Sequence, residues 1–247
     1  MQDRPSKAVD ARRMRAVLTL AATLAFVLSP FWSRGFNGFE AGQFPVPQND
    51  PPGQPAGYAF SIWGLIYLWL LASAAYGLVR HADDAAWDAP RIPLIVSLTV
   101  GAAWLPVAQI SPLWATAMIW TMLIAALLAL RSTRADRWWL AGPVALYAGW
   151  LTAASSVSVA LIGAGYGLMA GAAAWAFIAL AIALGVAILV LRRLAPPPEY
   201  ALAVIWALVG IVVANVSGGT LAVAIAAALG AALLVLLTLR GGPSRGT

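Results

Sequence analysis

The chain has 247 residues, 62% of them apolar and 10% charged, with a mean hydropathy of +0.84. An ordinary soluble domain carries about 25% charged and 45–50% apolar residues, so too few ionic groups are present to wet a globular surface, which excludes a soluble enzyme, a disordered chain and a nucleic-acid reader. The absence of cysteine excludes disulfides, thiolate metal sites and cysteine nucleophiles, and the formal charge of +6 is explained by where the basic residues lie.

A bilayer core of about 30 Å needs roughly 20 mostly apolar residues in a helix. Such runs occupy residues 16–32, 58–79, 92–110, 112–130, 138–161, 166–191, 200–217 and 220–239. The expected fold is therefore an all-α integral membrane protein with eight transmembrane helices. Barrel strands are excluded, because the runs do not alternate apolar with polar residues. The first run has the basic start of a signal peptide, yet Leu28-Ser29-Pro30-Phe31-Trp32 offers bulky residues where a cleavage site needs small ones. An uncleaved first helix is expected.

Basic residues set the orientation. Arg4, Lys7, Arg12, Arg13 and Arg15 precede the first span, Arg80 and Arg91 lie between the second and third, and Arg131, Arg134 and Arg137 between the fourth and fifth. Arg192 and Arg193 lie between the sixth and seventh, and Arg240 and Arg245 follow the eighth; of 15 Lys and Arg only Arg34 falls on the other side. Lys and Arg concentrate in cytoplasmic loops. Residues 1–15 and 240–247 are thus expected as cytoplasmic tails, and the expected location is the cell (inner or plasma) membrane of a bacterium.

The connection at 33–57 differs from the others. It carries Pro45, Pro47, Pro51, Pro52 and Pro55 with Gly35, Gly38, Gly42, Gly53 and Gly57. Proline stiffens such a segment and glycine permits its bends, so no regular element is expected. Phe36, Phe39 and Phe44 give it apolar anchors, as suits a loop packed over the mouth of the bundle, either as a functional lid or as a structural cover.

After this loop come Tyr58, Phe60, Ile62-Trp63 and Tyr67; the fifth span holds Pro143, Tyr147, Trp150 and Ala154, and Trp104 and Trp114 mark the third and fourth. In these residues the chain resembles the tryptophan-rich sensory protein, or translocator protein (TspO/MBR), family. The resemblance covers residues 16–161, a five-helix core, and leaves 162–239 as a three-helix extension of the kind found in longer relatives. Two family asparagines are replaced, by Gly101 in the third span and Ser158 in the fifth.

Every Lys, Arg, Asp and Glu, and the single His81, falls in loops, tails or span ends. Intramembrane charge usually marks a proton relay or ion path, and its absence argues against a pump or an ion-coupled transporter. The chain also lacks an intramembrane acid–base pair. His81-Ala82-Asp83-Asp84 reads as a solvated turn, not a metal site. No span holds a His or Cys to ligate haem iron. Gly163-Ala164-Gly165-Tyr166-Gly167 reads as a tight turn between helices, since a dinucleotide fingerprint needs a preceding strand. Gly163, Gly167 and Gly171, and likewise Gly210, Ala214 and Gly218, have the four-residue spacing that lets helices approach closely in lipid.

The main chemical signal is the set of 12 tryptophans. Trp32, Trp87, Trp114, Trp138 and Trp139 sit at span ends, as interfacial anchors do. Trp63, Trp69, Trp104, Trp120, Trp150, Trp175 and Trp206 lie within spans. Helical periodicity puts Trp63, Tyr67, Leu70 and Ala74 on one face, and Tyr147, Trp150, Ala154 and Ser158 on another. Converged, these faces make an aromatic-walled cavity for a flat apolar ligand.

The resemblance implies a membrane-embedded receptor for tetrapyrroles such as porphyrin or haem, reporting to a partner. The expected ligand-binding residues are Phe44, Tyr58, Phe60, Trp63, Tyr67, Trp104, Tyr147, Trp150, Ala154 and Ser158, with no catalytic residue, no metal and no obligatory cofactor. The expected partners are the lipid bilayer and a hydrophobic small molecule, not nucleic acid. Two rivals are a permease for small hydrophobic solutes and a scaffold subunit that docks a protein through residues 162–239. Photochemical porphyrin degradation, proposed for relatives, would need light and bound pigment, so no enzyme activity is expected.

Overall fold

The computed structural model describes residues 4–33, 38–168, 171–218 and 220–240. Arg34, Gly35, Phe36 and Arg245 lie outside them, as do the side chains of Arg4 and Trp32. Eight described helices are long and apolar enough to cross a membrane. They are α1 (Arg4–Trp32), α2 (Ile62–His81), α3 (Arg91–Ile110), α4 (Pro112–Leu130), α5 (Gly142–Gly165), α6 (Ala172–Leu194), α7 (Pro198–Gly218) and α8 (Leu221–Arg240). No strand occurs among the described residues, and the protein is all-α and membrane-integral.

Local chemistry sets the boundaries. Between α3 and α4 there is only Ser111, whose hydroxyl accepts the Trp114 N–H while Pro112 opens α4, a capped start with a proline whose missing donor costs nothing there. The Asp136 carboxylate accepts the N–H groups of Trp138 and Trp139, starting a wide turn, Arg137–Ala141, that runs into α5. Two expectations are corrected here. Gly163, Ala164 and Gly165 remain helical, and the chain turns at 166–168, where Gly167 has φ +64°, a region glycine adopts without strain. The sixth span consequently starts at Ala172, not at 166. Helix α1, for its part, starts inside the basic segment, so residues 7–15 of the expected cytoplasmic tail are helical.

The helices close two rings. α1, α3, α4, α5 and α2 pack in that order around the first, and α5, α6, α8 and α7 around the second. Helix α5 belongs to both, and 83% of its span is buried against 28–44% for the other seven. Buried hydroxyls join the helices: Ser97 donates to the Met122 carbonyl at 2.8 Å, so the Tyr147 hydroxyl, 2.9 Å away, is the donor to Ser97. Thr152 meets Tyr200 at 2.9 Å, linking α5 to α7. Such interhelical bonds, with small residues, hold bundles together where lipid supplies no hydrophobic drive. Of the glycines at four-residue spacing, a Cβ on Gly163 would strike Trp175 and one on Gly210 would strike Pro55 and Ala59, whereas Gly171 and Gly218 face open space.

All described Lys and Arg lie at the end of the bundle where α1 starts and α8 ends. Arg13 pairs with Asp83 at 2.6 Å and Arg15 with Asp88 at 2.5 Å. The Arg13 hydrogen bond holds the Asp83 carboxyl below its usual range, and the Ala86 N–H does the same for Asp84. Trp87 corrects another expectation. Only 3% exposed, it stacks on His81 with centroids 4.6 Å apart and plugs the α2–α3 corner instead of anchoring at the interface. Trp114, Trp138 and Trp139 remain exposed at helix ends.

Arg91 closes the same corner. Buried, it donates to the carbonyls of His81 and Ala82, which lie past the last intrahelical bonds of α2, and to those of Gly77 in α2 and Arg12 in α1. Arg91→Met keeps the stem but removes these hydrogen bonds, and a charge-assisted bond is worth about 1.5–3 kcal/mol. A lowered melting temperature of the detergent-solubilised protein is expected, with Arg80→Met, an exposed control, leaving it unchanged.

Candidate functional site

At the opposite end, where the proline-rich loop lies, two cavities meet inside the first ring. The first is an aromatic slot walled by Phe60, Trp63, Trp104 and Trp150, floored by Ala154 and Ser158, and roofed by Phe39, Gln54 and Pro55 of the loop. Its cavity volume is about 40 Å³, within about 520 Å³ of empty space that includes its mouth. The second is a chamber of about 290 Å³ reached by Phe26 and Pro30 of α1 and by Tyr58 and Tyr67. Phe60, Trp63, Trp104 and Ile119 line both and form the partition between them.

The two aromatic faces do converge. Trp63 lies 6.1 Å from Trp150 and 6.4 Å from Tyr147, stacks on Tyr67 at 5.4 Å, and Phe60 meets Trp150 edge-on at 5.9 Å. Eight of the ten expected residues thus line a cavity: Phe60, Trp63, Trp104, Trp150, Ala154 and Ser158 the slot, with Tyr58 and Tyr67 adding to the chamber. Tyr147 and Phe44 line neither. Tyr147 is fully buried behind Trp63, its hydroxyl bound to Ser97. Phe44 is a peg against Gly165, where a Cβ would strike its ring, and Phe39 beside it is the loop phenylalanine that reaches the slot.

Phe26 is the wall residue that sequence reasoning passed over. Its ring sits 5.1 Å from Tyr67, 5.7 Å from Tyr147 and 5.8 Å from Trp63. A Cβ on Gly101 would lie less than 3.0 Å from that ring. Gly101, which the resemblance marks as replacing an asparagine, therefore makes room for Phe26, and that substitution was the available signal.

Hydrogen bonding singles out one indole. Trp69, Trp104, Trp175 and Trp206 donate to the carbonyls of Trp138, Ala115, Leu168 and Ala59. The Trp150 Nε1–H is buried without an acceptor. A buried donor left unpaired costs about 1–3 kcal/mol, and its ring stands in the slot wall.

The loop is fastened mostly through its own backbone. Val46 N–H donates to Gly165 O at 2.8 Å, Gln43 Nε2 to Ala108 O at 2.8 Å, and Ala56 N–H to Gly210 O at 3.0 Å. Asn215 donates to Pro52 O and Trp206 to Ala59 O, each at 2.8 Å. Three of these five bonds come from α7, so the helices read from sequence as an appendage hold the roof of the slot.

The family model described as TSPO-like protein matches residues 16–240, which includes α6, α7 and α8 and so extends the resemblance beyond residue 161. No curated protein and no solved structure matches the chain.

Proposed function

The chain belongs to the TSPO-like family, and from that premise we propose that it is a membrane-embedded receptor for a flat, largely apolar ligand of the tetrapyrrole class, held in the aromatic slot. The observation that carries this reading is the unpaired Trp150 N–H in a wall of rings. A ligand acceptor reaching it would relieve a standing cost, and the rings supply stacking surface. No residue is assigned a catalytic role. We infer that the basic end faces the cytoplasm, since Lys and Arg favour cytoplasmic loops.

Size sets a condition. Sites for ligands of this kind run to about 300–1,000 Å³, more than the slot alone offers. Phe60 and Trp63 are half-buried, and turning them aside merges slot and chamber. Binding therefore requires the partition to move, which makes occupancy a conformational event.

The test is titration of the purified protein with protoporphyrin while Trp fluorescence is followed. Saturable quenching is expected, unchanged in Trp138→Ala, whose ring is exposed at the far end. Quenching that rises linearly without saturation overturns the proposal. The permease rival is tested by uptake into sealed vesicles.

A further inference from the structure

The outer face of the slot's roof borders a third, chemically different cavity. A cleft of about 570 Å³ runs between the loop segment 49–57 and the α7–α8 junction. Its polar lining comprises Asn49, Asp50, Gln54, Asn215, Ser217 and Thr220. Gln54 and Pro55 line both this cleft and the aromatic slot, so the partition is a single stretch of chain. Asn215 ties that stretch down through Pro52 O.

Among the described residues the charge here is one-sided, Arg34 of the same loop lying outside them. Asp50 is the only charged residue in the cleft lining. Among the described residues at this end of the bundle the only other charge is Glu40, while every described Lys and Arg sits at the opposite end. No described cation neutralises Asp50, and it is exposed. Its φ of +45° places it in a left-handed conformation that Asp and Asn tolerate better than other side chains. Amide and hydroxyl groups beside a carboxylate favour a ligand group that donates hydrogen bonds and carries positive charge.

We propose that this cleft is the outer subsite of the ligand site, taking a protonated amine or similar cationic donor of an amphiphile whose flat part lies in the slot, with Asp50 as counter-ion. The inference rests on the slot binding flat apolar molecules and adds a selectivity that slot does not give: cationic ends are favoured at the cleft, and carboxylate ends are repelled. A dicarboxylic porphyrin must then direct its carboxylates away from Asp50.

The experiment uses the full chain in zwitterionic nanodiscs with three probes that share one ring system: pyrenebutylamine, pyrenebutanol and pyrenebutyrate. Quenching of Trp fluorescence gives each midpoint. The wild type is expected to bind the amine about five- to tenfold more tightly than the carboxylate, the size of one charge pair facing water, with the alcohol between them. Asp50→Asn, which keeps the side-chain shape and suits the left-handed backbone, is expected to erase that preference and leave the alcohol's midpoint within about twofold. Equal midpoints for amine and carboxylate in the wild type, or a preference that survives Asp50→Asn, overturn the subsite while leaving the slot reading intact. Failure of pyrenebutanol to quench saturably overturns the slot reading and the subsite with it.

Discussion

Replacing Gly149 by alanine is expected to lower the melting temperature by several degrees, whereas Gly185→Ala leaves it level or slightly raised. A Cβ on Gly149 would fall less than 3.0 Å from the carbonyl of Tyr200, a backbone group of α7 that no rotamer change can move, and 3.0 Å from Ala203 Cβ. α5 and α7 would have to part, straining the Thr152–Tyr200 bond that joins them. Overpacking costs about 1–3 kcal/mol when side chains can yield, and more is expected against backbone. Gly185, also helical, has nothing within 4 Å of its Cβ position, so only the helix preference for alanine acts, about 0.5–1 kcal/mol in its favour. Scanning fluorimetry of both variants in one detergent decides the matter; indistinguishable melting curves would mean that the helices are not in close contact there.

Trp150 carries the second large effect, and its two substitutions separate stability from binding. Trp150→Phe keeps an aromatic ring and removes the unpaired donor. Because an orphaned buried N–H costs about 1–3 kcal/mol, the unliganded protein is expected to hold or gain stability. Its affinity for protoporphyrin is expected to fall about five- to tenfold, the worth of one neutral hydrogen bond. Trp150→Ala empties a core position that is 2% exposed. It is expected to cost about 3–5 kcal/mol of stability and to abolish saturable binding. An unchanged affinity in Trp150→Phe means that the indole N–H does not reach the ligand.

The sequence made one layer of the structure readable and hid another. Hydropathy and the placement of arginines delimit the spans, because lipid imposes length and charge rules that each segment obeys alone. The faces of α2 and α5 were likewise readable, since 3.6-residue periodicity is local. Neighbours are not local. Nothing in residues 198–218 announces that Trp206 and Asn215 will hold the carbonyls of Ala59 and Pro52, so α6–α8 read as an appendage when they complete a second ring with α5. Trp87 shows the same limit from the other side: a tryptophan at a span end serves equally as interface anchor or as corner plug, and only the position of His81 decides. Phe26, one of three aromatics in α1, becomes a wall residue because Gly101 stands opposite.

Gly149 and Trp150 are consecutive residues, one seated on Tyr200 of α7 and the other in the slot wall. A displacement of the indole by an arriving molecule acts on the same short length of helix whose backbone abuts α7. The shared helix therefore ties the slot wall to the second bundle at one dipeptide, and α7, which itself borders the slot through Ala207, adjoins any shift of that wall.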